Sequence, residues 1–234
     1  MRYALRVAAA RAQPSLVASH PDLGPALAPR ALVTESQRAR LLEAVAQVVA
    51  DRGYQATTVA EIVRAAGVSR STFYELFESK EQCLVEAYRH GVDVLIARIR
   101  AAVRAAAPGG LRAQVRAANA AYLETMREEP RFARTYLIEI HRAGDAALQA
   151  RAEALERFAD GYRRIRRRMR PGTAVPPRET FLALAAGLDQ LAAERVRAGR
   201  GETLDELEPT FTYCALAILA GPGPDAQTTT DGEP

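Results

Sequence analysis

Between residues 69 and 80 the chain carries Ser69, Arg70, Ser71, Thr72, Tyr74 and Lys80, six polar side chains suited to an anionic or base-edge partner. Arg70 presents a planar fork of donors, the one group here able to clamp O6 and N7 of a guanine. The hydroxyls of Ser69, Ser71, Thr72 and Tyr74 can serve phosphate oxygens or bases, with less discrimination. Lys80 is the single lysine among 32 basic residues. It stands at a helix start, where a cation opposes the helix dipole; without a local stability motive, its placement points to a phosphate. Upstream, Thr57 and Thr58 open a helix whose free amides can meet a phosphate. Plainer readings stand beside these: Thr58 and Ser69 as caps alone, Tyr74 as half-buried packing, Arg70 as a solvated charge. No nucleophile motif, phosphate loop or zinc spacing occurs, and His20, His90 and His141 stand apart. The reading is of a non-enzymatic binding protein with neither metal nor cofactor.

The elements that must hold these residues are short helices. Thr58 with Glu61 is a capping box, and Ile62 marks a buried face. Gly67 supplies the positive φ for a sharp turn. Ser69 caps the next helix, with Phe73, Leu76 and Phe77 on its apolar side. Ser79 with Gln82 caps a third. Helix, glycine turn, helix is the helix-turn-helix arrangement, whose second helix enters the DNA major groove by its N-terminal residues. The motif covers about 58–77. Residues 34–90 hold seven basic against eight acidic side chains, so placement rather than net charge must carry DNA binding.

Elsewhere, alanine and arginine dominate, apolar residues make up 48 %, and alternating β-branched runs are scarce. The expectation is an all-α fold of about nine helices. Residues 1–33, with four prolines and four arginines, read as a disordered basic extension, an arm for DNA, or a mis-assigned start. Thr34 with Gln37 suggests the cap of a first helix ending at Gly53. A long helix follows from Lys80 toward Ala106. Further helices are expected near 111–128, 131–143, 145–169, 177–198 and 203–220, the last capped by Thr203 with Glu206. The tail 221–234 reads as disordered. Cys83 and Cys214 read as buried thiols, and the arginine-rich 163–170 as a solvated helix end. No run is long and apolar enough to span a bilayer, and the opening residues make a poor signal peptide, so a cytoplasmic protein is expected.

TTVAEIVRAAGVSRSTFYELFESKEQCLVEAY resembles the DNA-binding domain of the TetR family of bacterial transcriptional regulators, over roughly 35–88. The threonine, the Gly-Val pair, Ser-x-x-Thr-aromatic-Tyr and Ser-Lys-Glu fall in order at the family's spacing. The resemblance implies a three-helix DNA-binding domain at 34–82 and an effector-binding and dimerisation domain at 83–220. It also implies phosphate contacts for Tyr74 and Lys80. Ser71 stands where many members have glycine or alanine, and Glu75 where histidine or an aromatic is frequent; the operator sequence stays open. AAGLDQLAAERVRAG is similar to the family's penultimate helix, which carries much of the dimer contact.

Paired half-sites call for a dimer. Phe181, Leu184, Leu188 and Leu191, with Leu207, Phe211 and Ile218, form stripes suited to a four-helix bundle between two copies; the plainer reading is that they serve the subunit's own core. Tyr122, Met126, Phe132, Tyr136, Phe158 and Tyr162 could line an effector cavity or fill a core. The function expected is a homodimeric repressor on a palindromic operator, released by a small organic effector. The alternative is a DNA-binding regulator without an effector.

Overall fold

The computed structural model describes residues 28–220, with side chains from Val33 onward; the expectations for the two termini beyond lie outside the described residues. Among these the fold is all-helical: α1 (Ala28–Arg52), α2 (Val59–Ala66), α3 (Arg70–Leu76), α4 (Lys80–Ala105), α5 (Gly110–Glu128), α6 (Pro130–Leu137), α7 (Asp145–Met169), α8 (Arg178–Arg197) and α9 (Glu208–Ala220). Short 3-10 turns cover Ala107–Gly109, Glu139–Arg142 and Gly201–Leu207. No helix among the described residues is long and apolar enough to cross a membrane.

Two helix starts differ from expectation for local reasons. α1 begins at Ala28, so Thr34 lies inside it and caps nothing. Pro29 falls in its first turn, where a missing N–H costs nothing, and Arg30, Ala31 and Leu32 after it are good helix formers that carry the helix on to Thr34. α9 begins at Glu208 rather than Thr203, whose φ of −103° is non-helical. Pro209 fits a first turn but would break a helix interior. Glu206 then pairs with Arg195 (2.9 Å) instead of closing a box with Thr203.

The chain forms two compact units. One holds the described residues up to Val94 together with Glu129–Ala150. Its core gathers Leu41, Val45, Val49, Ile62, Phe73, Phe77, Leu84, Tyr88, Tyr136, Leu137 and Ile140, all nearly solvent-free. Gly91 leaves room for the Phe132 ring, and Tyr136 stacks on Tyr88 at 5.2 Å. Segment 129–150 is thus grouped with the N-terminal helices, although it lies within the stretch 83–220 read as one domain.

The other unit holds Leu95–Glu128 and the described residues from Arg151 on. Val115, Leu123, Met126, Phe181, Leu204, Phe211 and Leu219 form its core. Polar residues are buried there in partnered chains. Tyr162 donates to Asn119 Oδ1 (2.9 Å), Asn119 donates to Thr212 (3.3 Å), and Thr212 donates to Glu208 (2.7 Å). Arg166 is a correction to the solvated arginine run. It is buried, and Nη1 donates to the carbonyls of Leu219 (2.8 Å) and Ala220 (3.2 Å), neutralising the C-terminal end of α9.

Both cysteines are free; Cys83 is buried and Cys214 half-buried. Burial, with the nearby Glu86 carboxylate, pushes the Cys83 thiol up to about 12. Only thiolate attacks alkylating reagents, so at pH 8 Cys83 stays inert until the fold opens. Mass spectrometry after iodoacetamide treatment of the native protein is expected to find Cys214 modified first and Cys83 only in denaturant. Fast native labelling of Cys83 contradicts its burial.

Candidate nucleic-acid interface

The expected helix-turn-helix is present in its details. Thr58 accepts from the Glu61 amide (3.3 Å), and Glu61 accepts from the Thr58 amide (2.9 Å) and hydroxyl (2.9 Å). These bonds, the backbone one first, hold the Glu61 carboxyl below the usual range. A lowered carboxyl stabilises the fold above its unfolded pKa and loses that contribution as pH falls through the folded value. Gly67 turns the chain at φ 62°, and Arg40 Nη1 reaches its carbonyl at 3.3 Å. Ser69 then caps α3, accepting from the Thr72 amide at 3.0 Å.

α3 is seven residues long and two-sided. Phe73 and Phe77 are buried, while Arg70, Ser71, Tyr74 and Glu75 are exposed. Tyr74 remains 49 % exposed and meets the Phe73 ring in a T-shaped contact at 5.3 Å. The Arg70 guanidinium lies 5.6 Å over the Tyr74 ring, an i, i+4 pairing that restrains a long side chain on the outer face. The hydroxyl of Ser69 lies 2.7 Å from that of Ser71 and 2.8 Å from that of Thr72. One helix end therefore presents a fork of donors, a hydroxyl cluster and a phenol together. That set can bind phosphate oxygens and read a base edge.

Two expected contacts require correction. Thr57 is 2 % exposed and donates its hydroxyl to the Gly53 carbonyl (2.8 Å), so it has no surface to offer. Lys80 has a local role after all: its ammonium donates to the carbonyls of Tyr54 (2.9 Å) and Thr57 (2.8 Å) and lies 4.3 Å over the Tyr54 ring. Two of its three N–H donors close the loop between α1 and α2, which the sequence spacing did not suggest. Arg40 and Glu139 were also missed: each reaches main chain far along the sequence, 27 and 85 residues away, without a local pattern.

The other candidate residues divide. Of the expected cavity lining, Phe132 and Tyr136 lie in the first unit and touch each other at 5.4 Å. Tyr122, Met126, Phe158 and Tyr162 lie in the second, where Tyr122 meets Phe158 edge-on at 6.1 Å. Neither unit gathers all six. Of the expected dimer residues, Phe181, Leu184, Leu188, Leu207 and Phe211 are buried in the subunit's own core. Ile218 is half-buried and Leu191 is 43 % exposed. The stripes pack inward because α9 lies against α5, and α8 against α9 and the Gly201–Leu207 turn. The outward side of α8 carries Ala183, Gly187 and Leu191, and that of α9 carries Thr210, Tyr213 and Ala217. Tyr213, unforeseen from the sequence, is 75 % exposed. Among the described residues no group of three His, Cys, Asp or Glu side chains could hold a metal ion.

A capped helix-turn-helix with a polar, exposed tip, in a chain that is helical across its described residues, is an arrangement that can enter a DNA groove. Residues 41–87 match the family of bacterial regulatory proteins, tetR family. It is 43 % identical over 65 residues to the HTH-type transcriptional repressor KstR2 of Mycobacterium tuberculosis, covering 28 % of this chain and 32 % of that protein. It is 37 % identical over 73 residues to the HTH-type transcriptional activator FasR of Mycolicibacterium smegmatis, covering 31 % and 33 %. These matches span about a third of either relative's length. The fold reaches further. The fatty acid degradation regulator FadR of Bacillus halodurans superposes with a TM-score of 0.68 at 17 % identity, over 77 % of this chain and 95 % of that one. FadR of Bacillus subtilis, in complex with stearoyl-CoA, gives 0.66 at 16 %, over 76 % and 97 %.

Proposed function

We propose that this protein is a sequence-specific transcriptional regulator that binds a palindromic operator as a homodimer. The observation that carries the reading is the outer face of α3, where Arg70, Ser71, Tyr74 and Glu75 are exposed at the tip of a capped helix-turn-helix. In this reading Arg70 reads a guanine, Ser69, Ser71 and Tyr74 meet phosphates with Thr58 and its helix end, and half-buried Thr72 supports them. Glu75 either accepts from cytosine N4 or keeps phosphate at a distance. Repression is the sign we favour, from KstR2. The match to an activator shows that this segment serves both signs in relatives.

The second unit is proposed to bind a small organic effector that releases the operator. A fold neighbour described with stearoyl-CoA makes acyl-CoA the first class to test. The outward faces of α8 and α9 are proposed as the dimer surface, Leu191 and Tyr213 packing where Ala183, Gly187 and Ala217 permit close approach.

Selection of duplexes from a random pool tests the reading directly. With the selected operator, Arg70→Ala is expected to lose about 1–3 kcal/mol and relax preference at one base pair per half-site. Unchanged affinity and preference remove Arg70 from base reading. Leu191→Glu combined with Tyr213→Glu is expected to give a folded monomer by sedimentation velocity, with operator affinity reduced at least tenfold. A double variant that sediments as the wild-type dimer excludes this surface.

A further inference from the structure

The peptide of Tyr54 is gripped from both sides. α1 ends at Gly53, whose φ of 83° swings the following amide away from the helix, beyond the helical carbonyls. That amide is buried, and a buried N–H without a partner costs about 1–3 kcal/mol. Its partner is Glu139: the Tyr54 amide donates to Glu139 Oε2 at 2.9 Å, 85 residues along the chain. The carboxylate is 0 % exposed. Its other oxygen lies 3.5 Å from guanidinium nitrogens of Arg134 and of Arg142. On the other side of the same residue, Lys80 takes the Tyr54 carbonyl and, three residues on, that of Thr57. The loop that delivers the chain to Thr58, the cap of α2, is thus held by an anion at its amide end and a cation at its carbonyl end.

The anion comes from a segment that meets the N-terminal helices at several further points. Arg131 makes two bonds to Asp51 (3.0 and 3.1 Å), and Thr135 donates to the Ala46 carbonyl (3.2 Å). Gln55 donates to the Arg142 carbonyl (3.0 Å). Gly144, at φ 96°, lets Glu81 approach so closely that a Cβ there would lie 2.5 Å from its Oε1. The exposed pairs add little individually. Glu139 differs because it is buried and anchors main chain. A buried carboxylate is tolerated only where charge and hydrogen bonds compensate it, and here its bond fixes one backbone position. Gly53 suits the position because its φ of 83° is a backbone conformation that side chains avoid, while a Cβ there would meet Glu139 Oε2 at an ordinary contact distance of 3.4 Å.

We propose that Glu139 is a positioning residue for operator recognition: it sets the loop Gly53–Thr57, and with it the seating of α2 and α3, without touching DNA. The proposal deepens the DNA-binding function above and rests on it. It separates Glu139 from the residues that meet the duplex. Losing a Lys or Arg contact to phosphate lowers the salt dependence of binding, and losing a base-reading group such as Arg70 relaxes preference at one base pair, whereas losing a positioning residue weakens specific binding and leaves the salt slope as it was.

The test uses the full chain and the operator obtained by selection. Glu139→Ala is expected to weaken operator binding at least tenfold below its melting range, with an unchanged salt slope. Glu139→Gln keeps an acceptor for the Tyr54 amide and is expected to stay within about threefold of wild type. A folded Glu139→Ala that binds with wild-type affinity overturns the proposal, as does a Glu139→Gln as weak as the alanine variant. Amide hydrogen exchange read at Tyr54 judges the grip in the wild-type protein, whether or not the alanine variant folds. Slow exchange there supports the grip; exchange at the rate of an open loop overturns it. If wild-type protein retains no duplex from the pool, the DNA-binding reading has failed, and the exchange result still decides whether Glu139 holds the loop.

Discussion

Phe73→Ala is expected to cost about 3–5 kcal/mol of stability, the range for deleting a fully buried aromatic ring. Phe73 is 0 % exposed and meets the Phe77 ring at 5.7 Å and the Tyr74 ring at 5.3 Å. α3 has seven residues, too few to persist on propensity alone, so its place depends on its apolar side. Removing the ring opens a cavity beneath the helix that carries Arg70 and Tyr74. Urea denaturation monitored by circular dichroism reads the loss, and operator binding is expected to fall with it. A loss below about 1 kcal/mol, typical of surface substitutions, contradicts the placement of Phe73 in the core. Alanine at Glu75, exposed on the same helix, is the control for effects on α3 that do not involve burial.

Arg151→Ala is expected to cost a similar amount, about 3–5 kcal/mol, for an electrostatic reason. Asp189 in α8 is 5 % exposed; its carboxylate accepts from Arg151 at 2.7 Å and from the Tyr122 hydroxyl at 3.3 Å. Burial pushes the Asp189 carboxyl up, while Arg151 and Tyr122 pull it back toward the charged form. Removing the guanidinium leaves a buried charge with one neutral donor. The dependence on pH has a definite sign. A carboxyl raised in the folded state favours folding when protonated, and that contribution fades as pH rises through the folded value. The cost of Arg151→Ala should therefore grow toward neutral pH and shrink as pH approaches the ordinary aspartate range near ~4. Arg151→Met combined with Asp189→Leu should recover most of the loss, because an apolar pair leaves no charge unsolvated. A cost that does not vary with pH, or a double variant no better than the single, rules out this account.

The helix-turn-helix was legible because its determinants are local. A capping box, a glycine with positive φ and an N-cap serine each act within four residues, and each forms as read. The all-helical fold was legible for the same kind of reason: alanine-rich composition and three-to-four spacing are properties of a single helix. Side-chain partners between distant segments were not. The spacing of Leu184, Leu188 and Phe211 shows that these residues share a buried face; only packing shows that the face belongs to the subunit's own core. Thr57 sits beside Thr58 in sequence, yet one hydroxyl turns to a carbonyl within the loop and the other caps a helix. Lys80 looked unmotivated because its two carbonyl partners lie 23 and 26 residues earlier. Local propensity acts over one helical turn, while a buried charge finds its partner wherever folding brings the chain back, as at Glu139 and Tyr54.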